Sequence, residues 1–225
     1  MRILDRASPN HDARPGDGTV DMLILHYTGM ESAAAALDRL CDPAAKVSAH
    51  YLIDEGGAIW RLVDEGRRAW HAGVSSWRGR TDINGASIGI ELVNPGHEFG
   101  YRPFPELQMQ ALEELARAIL ARHPIPTRHV LGHSDVAPER KQDPGELFDW
   151  PHLARAGIGF WPDFDHDPAP PGIAPEILLT TIGYPIARPQ AAIAAFQRHW
   201  RPALCDGKVD AETARRLAIV AQGIS

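Results

Sequence analysis

Short apolar blocks recur along this chain, separated by turn residues. Met22-Leu23-Ile24-Leu25 ends at His26, with Gly29 soon after, and predicts a buried strand. Residues 32–40 are alanine-rich and precede Pro43, which predicts a helix and its stop. Residues 49–54 and 58–63 read as strands, and Glu55-Gly56-Gly57 between them signals a hairpin. Residues 87–93 predict a further strand, closed by Asn94-Pro95-Gly96. Over 105–122, Leu107, Ala111, Leu112, Leu115, Ile119 and Leu120 recur with the helical period, the strongest amphipathic pattern in the chain. Val130-Leu131 begins a short strand before Gly132-His133. Helices and strands interleave, and the hairpin makes some strands antiparallel. The expected fold class is α/β, a mixed central sheet flanked by helices.

A proline-rich, acidic stretch at 162–175 has no period and reads as a linker between residues 1–161 and 176–225. Beyond it, helices are expected near 175–182, 189–200 and 210–222. About 50 residues make a marginal three-helix unit, because so small a unit buries little surface. Such a unit is expected to lean on the larger one and to supply no catalytic group.

Composition narrows the class. Hydrophobic residues are 44% and charged residues 23% of the 225, as in a soluble globular protein. The net charge of −6 argues against a general nucleic-acid or membrane-surface binder, although a local basic cleft is compatible with it. The chain's start turns polar at Arg2, Asp5 and Arg6 with no apolar run behind it, so no secretory leader is expected. No stretch approaches a membrane span. Two distant cysteines, Cys41 and Cys205, suit a reducing compartment. The expectation is a cytoplasmic monomer, with a periplasmic location as the alternative.

Candidate chemistry gathers at predicted strand ends. His26 ends an apolar strand, His133 sits in Leu-Gly-His-Ser-Asp, and Asp143 sits in Arg-Lys-Gln-Asp-Pro-Gly. Two imidazoles and a carboxylate make a three-ligand zinc set that leaves a fourth position open. Spacing alone does not settle this, because a single histidine near a strand is more often a hydrogen-bonded structural residue.

Six motifs occur in order: Ile24-Leu25-His26-Tyr27-Thr28, Val47-Ser48-Ala49-His50-Tyr51-Leu52-Ile53, Arg68-Ala69-Trp70-His71-Ala72-Gly73, Ser87-Ile88-Gly89-Ile90-Glu91, Gly132-His133-Ser134-Asp135 and Arg140-Lys141-Gln142-Asp143-Pro144-Gly145. Together they resemble the zinc-dependent N-acetylmuramoyl-L-alanine amidases of the AmpD and AmiD type, over about residues 6–161. The tail segments 195–200 and 206–213 are similar to small helical peptidoglycan-binding domains.

The resemblance implies Zn2+ held by His26, His133 and Asp143, with catalytic roles for Glu91 and Lys141. Glu91 would carry the proton from water to the leaving amine. Lys141, two residues from Asp143, would face the same side of an extended segment and stabilise the oxyanion. Among substrate-binding candidates, Trp70 offers an apolar wall and His71 lines the cleft. Lys46 stands where cytoplasmic members place a basic residue near the stem peptide's terminal carboxylate, and Asn84 matches the family. Asp82 departs from it, standing where the cytoplasmic type has an arginine. His50 is expected to lie behind the ligands or to pack. His97, His123, His152, His166 and His199 attract no role.

The implied substrates are peptidoglycan fragments, anhydro-muropeptides in a recycling step, cut between N-acetylmuramic acid and L-alanine. Three other readings compete: an envelope amidase acting on polymeric wall, a non-catalytic peptidoglycan-recognition protein, and a regulator that binds a protein through its tail. Non-catalytic relatives typically lose the third ligand, whereas Asp143 is present.

Overall fold

The protein's structure is a computed structural model that describes residues 2–165 and 172–224. Part of the proline-rich linker, 166–171, lies outside the described residues. The chain opens with β1 (Ile3–Asp5) and β2 (His11–Ala13), then enters β3 (Met22–Tyr27). Helix α1 (Ala33–Cys41) starts at Ser32, whose hydroxyl caps it by accepting the Ala35 N–H. The hairpin forms between β4 (Tyr51–Ile53) and β5 (Ile59–Arg61), and Asp54 closes its turn by accepting the Gly56 and Ala58 N–H groups. Next come β6 (Arg67–Ala69), the one-turn helix α2 (Ile83–Ala86), β7 (Ser87–Leu92) and α3 (Gly96–Phe99). The long helix α4 (Glu106–Arg122) leads to β8 (Val130–Gly132), the single turn α5 (His133–Val136) and α6 (Trp150–Arg155). The tail supplies α7 (Pro175–Ile182), α8 (Pro189–Trp200) and α9 (Ala211–Gly223). Strands β1, β2 and β6 and the short turns α2, α3 and α5 carry too few residues to show a period, and sequence reading missed them.

Among the described residues the main sheet has six strands in the order β1-β5-β4-β7-β3-β8, with β4 and β5 antiparallel and the other neighbours parallel. Strands β2 and β6 form a separate antiparallel pair. This is the mixed α/β architecture expected from the pattern. Successive side chains of a strand face opposite sides, and β3 obeys the rule. Leu23 and Leu25 join Ile88, Ile90 and Leu92 of β7 under the apolar stripe of α4. Met22 and Ile24 face the other way.

On that second face two apolar clusters flank a polar gap. Leu52 of β4 packs with Leu37 and Leu40 of α1 at one side. Ile24 and Leu131 pack with the tail at the other, against Leu179, Phe196, Leu217 and Val220. The core is thus continuous from sheet to tail, so the three helices complete the main core instead of forming a second one. Between the two clusters, His26 of β3 and Glu91 of β7 share the face and pair in register. No described helix is long and apolar enough to cross a membrane.

Behind the hairpin, Glu65 gathers Arg122, His123 and the Tyr51 hydroxyl at 2.7 Å each. Burial alone pushes this carboxyl up, but the hydrogen bonds from Arg122, His123 and Tyr51 outweigh it and bring it down to about 2. A depressed native pKa adds stability that is fully present above the unfolded value and is lost as pH falls through the native one. Glu65→Gln should therefore destabilise the fold by on the order of 2 kcal/mol at pH 7, after discounting for solvent around half-exposed Arg122. Urea unfolding from pH 7 down to about 2 checks this: the gap between variant and wild type should close with acidification.

Candidate active site

The gap between the two clusters opens into a cleft of about 340 Å³. Its lining includes Tyr27, Gly29, Arg39, Trp70, His71, Glu91, His133, Arg140, Lys141 and Asp143. At its floor three donor atoms converge. The Nδ1 atoms of His26 and His133 are 2.9 Å apart, and each lies 3.0 Å from Asp143 Oδ2. All three residues are buried. A tetrahedral zinc with ligand distances of about 2.0–2.2 Å sets its donors about 3.3–3.6 Å apart, so this triangle is tighter by about half an ångström.

Hydrogen bonds fix the tautomers that a metal requires. The single Ser87 hydroxyl proton goes to the Ile83 carbonyl at 2.6 Å, which leaves Ser87 Oγ to accept from His71 Nε2–H at 3.2 Å. His71 Nδ1 then accepts from His26 Nε2–H at 3.0 Å, and His26 Nδ1 keeps a bare lone pair. His133 Nε2–H donates to the Ala72 carbonyl at 3.0 Å, which frees its Nδ1 in the same way. Outer partners of this kind orient metal-binding imidazoles. Burial, reinforced by the neighbouring His133, lowers His26 to about 4, and burial holds His71 well below its usual value. A lowered value at His26 favours the neutral ring that ligation needs. Two lone pairs and a carboxylate meeting out of water call for a cation, so the residues present fit a metal ion.

Strand β7 shapes the space beside them. Its Ser87, Gly89 and Glu91 all face the cleft side. A Cβ at Gly89 would come within 2.4 Å of the His71 ring, so only glycine leaves room for that imidazole. Glu91 Oε2 is buried and has no hydrogen-bond partner. Burial, with the Asp143 charge adding to it, raises the Glu91 carboxyl well above the ordinary range, while Lys141 pulls it down. An unpartnered carboxyl that holds its proton unusually tightly, beside a candidate metal position, is suited to proton transfer.

The structure thus brings His133, Asp143, Glu91, Lys141, Trp70 and His71 to the lining of one cleft, with His26 against His133 and Asp143 at its floor. It does not bring Lys46 or Asn84 to the lining. Lys46 is exposed, and its neighbours Val47 and Ser48 line the cleft in its place. Asn84 is buried off the lining, and its Oδ1 accepts the His71 and Ala72 N–H groups at 3.1 and 2.8 Å. The residue thereby braces the backbone that carries His71 and receives His133. Asp82 pairs with Arg68 at 3.0 Å and caps α2 through the Gly85 N–H. The His50 Nδ1 accepts the Gly89 N–H at 3.0 Å, so its Nε2–H goes to the Arg67 carbonyl. It packs behind His71 and does not touch the three donors.

Sequence reading missed two cationic braces. Arg14 donates to the carbonyls of Glu65, Gly85 and Ser87. Burial lowers it to about 10, although the nearby Glu65 carboxylate works in the opposite direction. Arg140 donates to the carbonyls of Ala72 and Val74. Arg140 stands in the sixth motif, but nothing in the sequence marks its main-chain partners, and Arg14 lies outside every motif.

Residues 16–146 match the Amidase_2 family model, described as N-acetylmuramoyl-L-alanine amidase. The chain belongs to this family. It is 40% identical over 223 residues to the N-acetylmuramoyl-L-alanine amidase AmiD of Escherichia coli K12, covering 86% of this chain and 79% of that protein. It is 38% identical over 160 residues to the 1,6-anhydro-N-acetylmuramyl-L-alanine amidase AmpD of the same strain, covering 64% and 85%. A solved complex of E. coli AmiD with anhydro-N-acetylmuramic acid-L-Ala-D-gamma-Glu-L-Lys superposes with a TM-score of 0.80 at 36% identity, covering 97% of this chain and 93% of that one. AmpDh3 of Pseudomonas aeruginosa gives 0.81 at 35% identity, covering 97% and 95%.

The hydrogen-bond chain through His71 makes a measurable claim. His71→Ala should weaken metal binding by about 10–100-fold, the range for losing a partner that orients a ligand. Chelator competition on the folded variant checks this, and unchanged affinity would show that His71 does not orient His26.

Proposed function

We propose that this chain is a zinc hydrolase that cuts the amide between the lactyl group of N-acetylmuramic acid and the L-alanine of the stem peptide, on 1,6-anhydro muropeptides. The observation that carries the reading is the partnerless, buried Glu91 oxygen beside the three converging donors. A ligand site maintained for binding alone has no need of a desolvated proton carrier. Family membership and the substrate complex of AmiD support the same bond.

His26, His133 and Asp143 would hold the metal. Zinc supplies Lewis acidity there and makes hydroxide available near neutral pH. Two histidines and one carboxylate also suit iron(II), so metal analysis belongs with the first assays. Glu91 takes a proton from the attacking water and delivers it to the alanine nitrogen as the C–N bond breaks. The product pair is a lactyl carboxylate and a peptide amine. The Lys141 ammonium faces the cleft, where negative charge grows on the carbonyl oxygen. Arg39 and Arg140 join Lys141 on the lining, a local basic surface in a chain of net charge −6. That surface suits the carboxylates of a stem peptide. Trp70, held by its indole N–H to Asp12 at 2.7 Å, offers a flat wall to the sugar or lactyl group.

The proposal keeps residues 1–161 as the amidase unit and 176–225 as a helical unit docked on it. It keeps the chain as a monomer. A cytoplasmic place of action is part of it, supported by two free cysteines, Cys41 and Cys205. Fractionation of the native host, with assays on anhydro-muropeptide and on intact sacculi, tests that part. A periplasmic protein preferring sacculi would overturn the location and leave the bond specificity standing.

Mass spectrometry of products from a defined anhydro-muropeptide, with and without chelator, tests the reaction. The free anhydro-sugar and peptide should appear, and chelation should stop them. Glu91→Gln should lower kcat by about 10²–10⁴-fold while zinc stays bound by elemental analysis. Near-wild-type turnover in that variant would remove Glu91 from the mechanism.

A further inference from the structure

Two buried side chains of the tail, Tyr184 and His199, end on one carboxylate outside it. Asp135 is 1% exposed. Its Oδ1 accepts the Tyr184 hydroxyl at 2.6 Å, and its Oδ2 accepts His199 Nδ1–H at 2.7 Å and the Gly132 N–H at 2.7 Å. Tyr184 follows α7 and His199 lies on α8. Two of the three donors to Asp135 therefore come from the tail. The aim of His199 is fixed, because its ring is stacked between Trp150 at 3.8 Å and Trp200 at 4.0 Å. Tyr184 is held edge-on by Trp77 at 5.0 Å.

Asp135 belongs to α5, the single turn that begins at His133. The next residue, Ser134, donates its N–H to the Asp143 carbonyl at 2.8 Å. One turn of backbone thus carries one metal donor and grips the segment that carries another. A helix this short has no length with which to fix its own rotation, so its orientation depends on its anchors: the Ser76 N–H on the Val136 carbonyl at 2.8 Å, the Ser134 bond, and the three donors to Asp135. The apolar contact of Val136 with the tail cluster adds to the grip.

We propose that Tyr184 and His199 are positioning residues for the metal site, acting through Asp135 to fix the direction of the His133 imidazole. This gives the tail a part in the chemistry without a residue in the cleft. It rests on the reading of His133 as a metal ligand. Removing either donor leaves a buried carboxylate oxygen short of a partner, which is costly. The turn then rotates or admits water to satisfy it, and His133 Nδ1 moves with the turn.

The test uses the full chain with Tyr184→Phe, His199→Leu and His199→Asn. Zinc affinity is measured by chelator competition, coordination geometry by the visible spectrum of the Co(II)-loaded protein, and stability by melting of the metal-free protein. Tyr184→Phe and His199→Leu should each weaken zinc binding about tenfold and change the Co(II) bands. His199→Asn can place an amide N–H where the imidazole Nδ1–H stands, so it should restore both. Tyr184→Phe removes one oxygen and keeps the test open if His199→Leu does not fold. Lowered melting temperatures with wild-type affinity and wild-type Co(II) bands would overturn the inference alone. Wild-type protein that binds no metal would overturn the metal reading, and the inference with it.

Discussion

Strands β3 and β7 run side by side and parallel, in a register that sets His26 against Glu91. Much of the site follows from that pairing. Strand period sends Leu23, Leu25, Ile88, Ile90 and Leu92 to the α4 face and His26, Gly89 and Glu91 to the opposite one. A slip of one residue would turn either strand's polar set into the core. The apolar packing under α4 therefore enforces the register that brings His26 beside Glu91. The catalytic face inherits its precision from the face that does no chemistry.

Desolvation then gives these groups their character. The chain Ile83–Ser87–His71–His26 decides which nitrogen is bare, and it ends on a main-chain carbonyl that cannot change its role. Burial favours the neutral rings while it raises Glu91. One buried setting thus favours both ligation and proton transfer. Arg14, Asn84 and Arg140 satisfy the main-chain groups of the surrounding loops. Those loops would otherwise carry unpaired polar groups next to the cleft.

The tail closes the same sheet face from the far side. Leu179, Phe196, Leu217 and Val220 cover Ile24 and Leu131, so the helical unit completes the amidase core. About 50 residues would make a marginal unit alone, and sharing a core removes that difficulty. The AmpD relative aligns with 64% of this chain while covering 85% of its own length, and the AmiD relative aligns with 86%. Covering by a tail is therefore one way in which this family finishes the face.

The sequence by itself determined the long elements, the mixed sheet, the order of the six motifs and the candidate donors. These are local properties: apolar runs, helical period and short motifs survive without any partner. It also placed the three tail helices within a residue or so of their ends. Tertiary structure alone decided what depends on distant atoms meeting. It buried Asn84 off the cleft lining and left Lys46 outside it, because loop backbones set which side chains face solvent. It gave Arg14 main-chain partners on distant loops and bound His199, which attracts no role in the sequence, to Asp135 across the interface between tail and sheet. Hydrogen bonds between residues 64 apart leave no period or spacing in the chain, so only the folded arrangement can specify them.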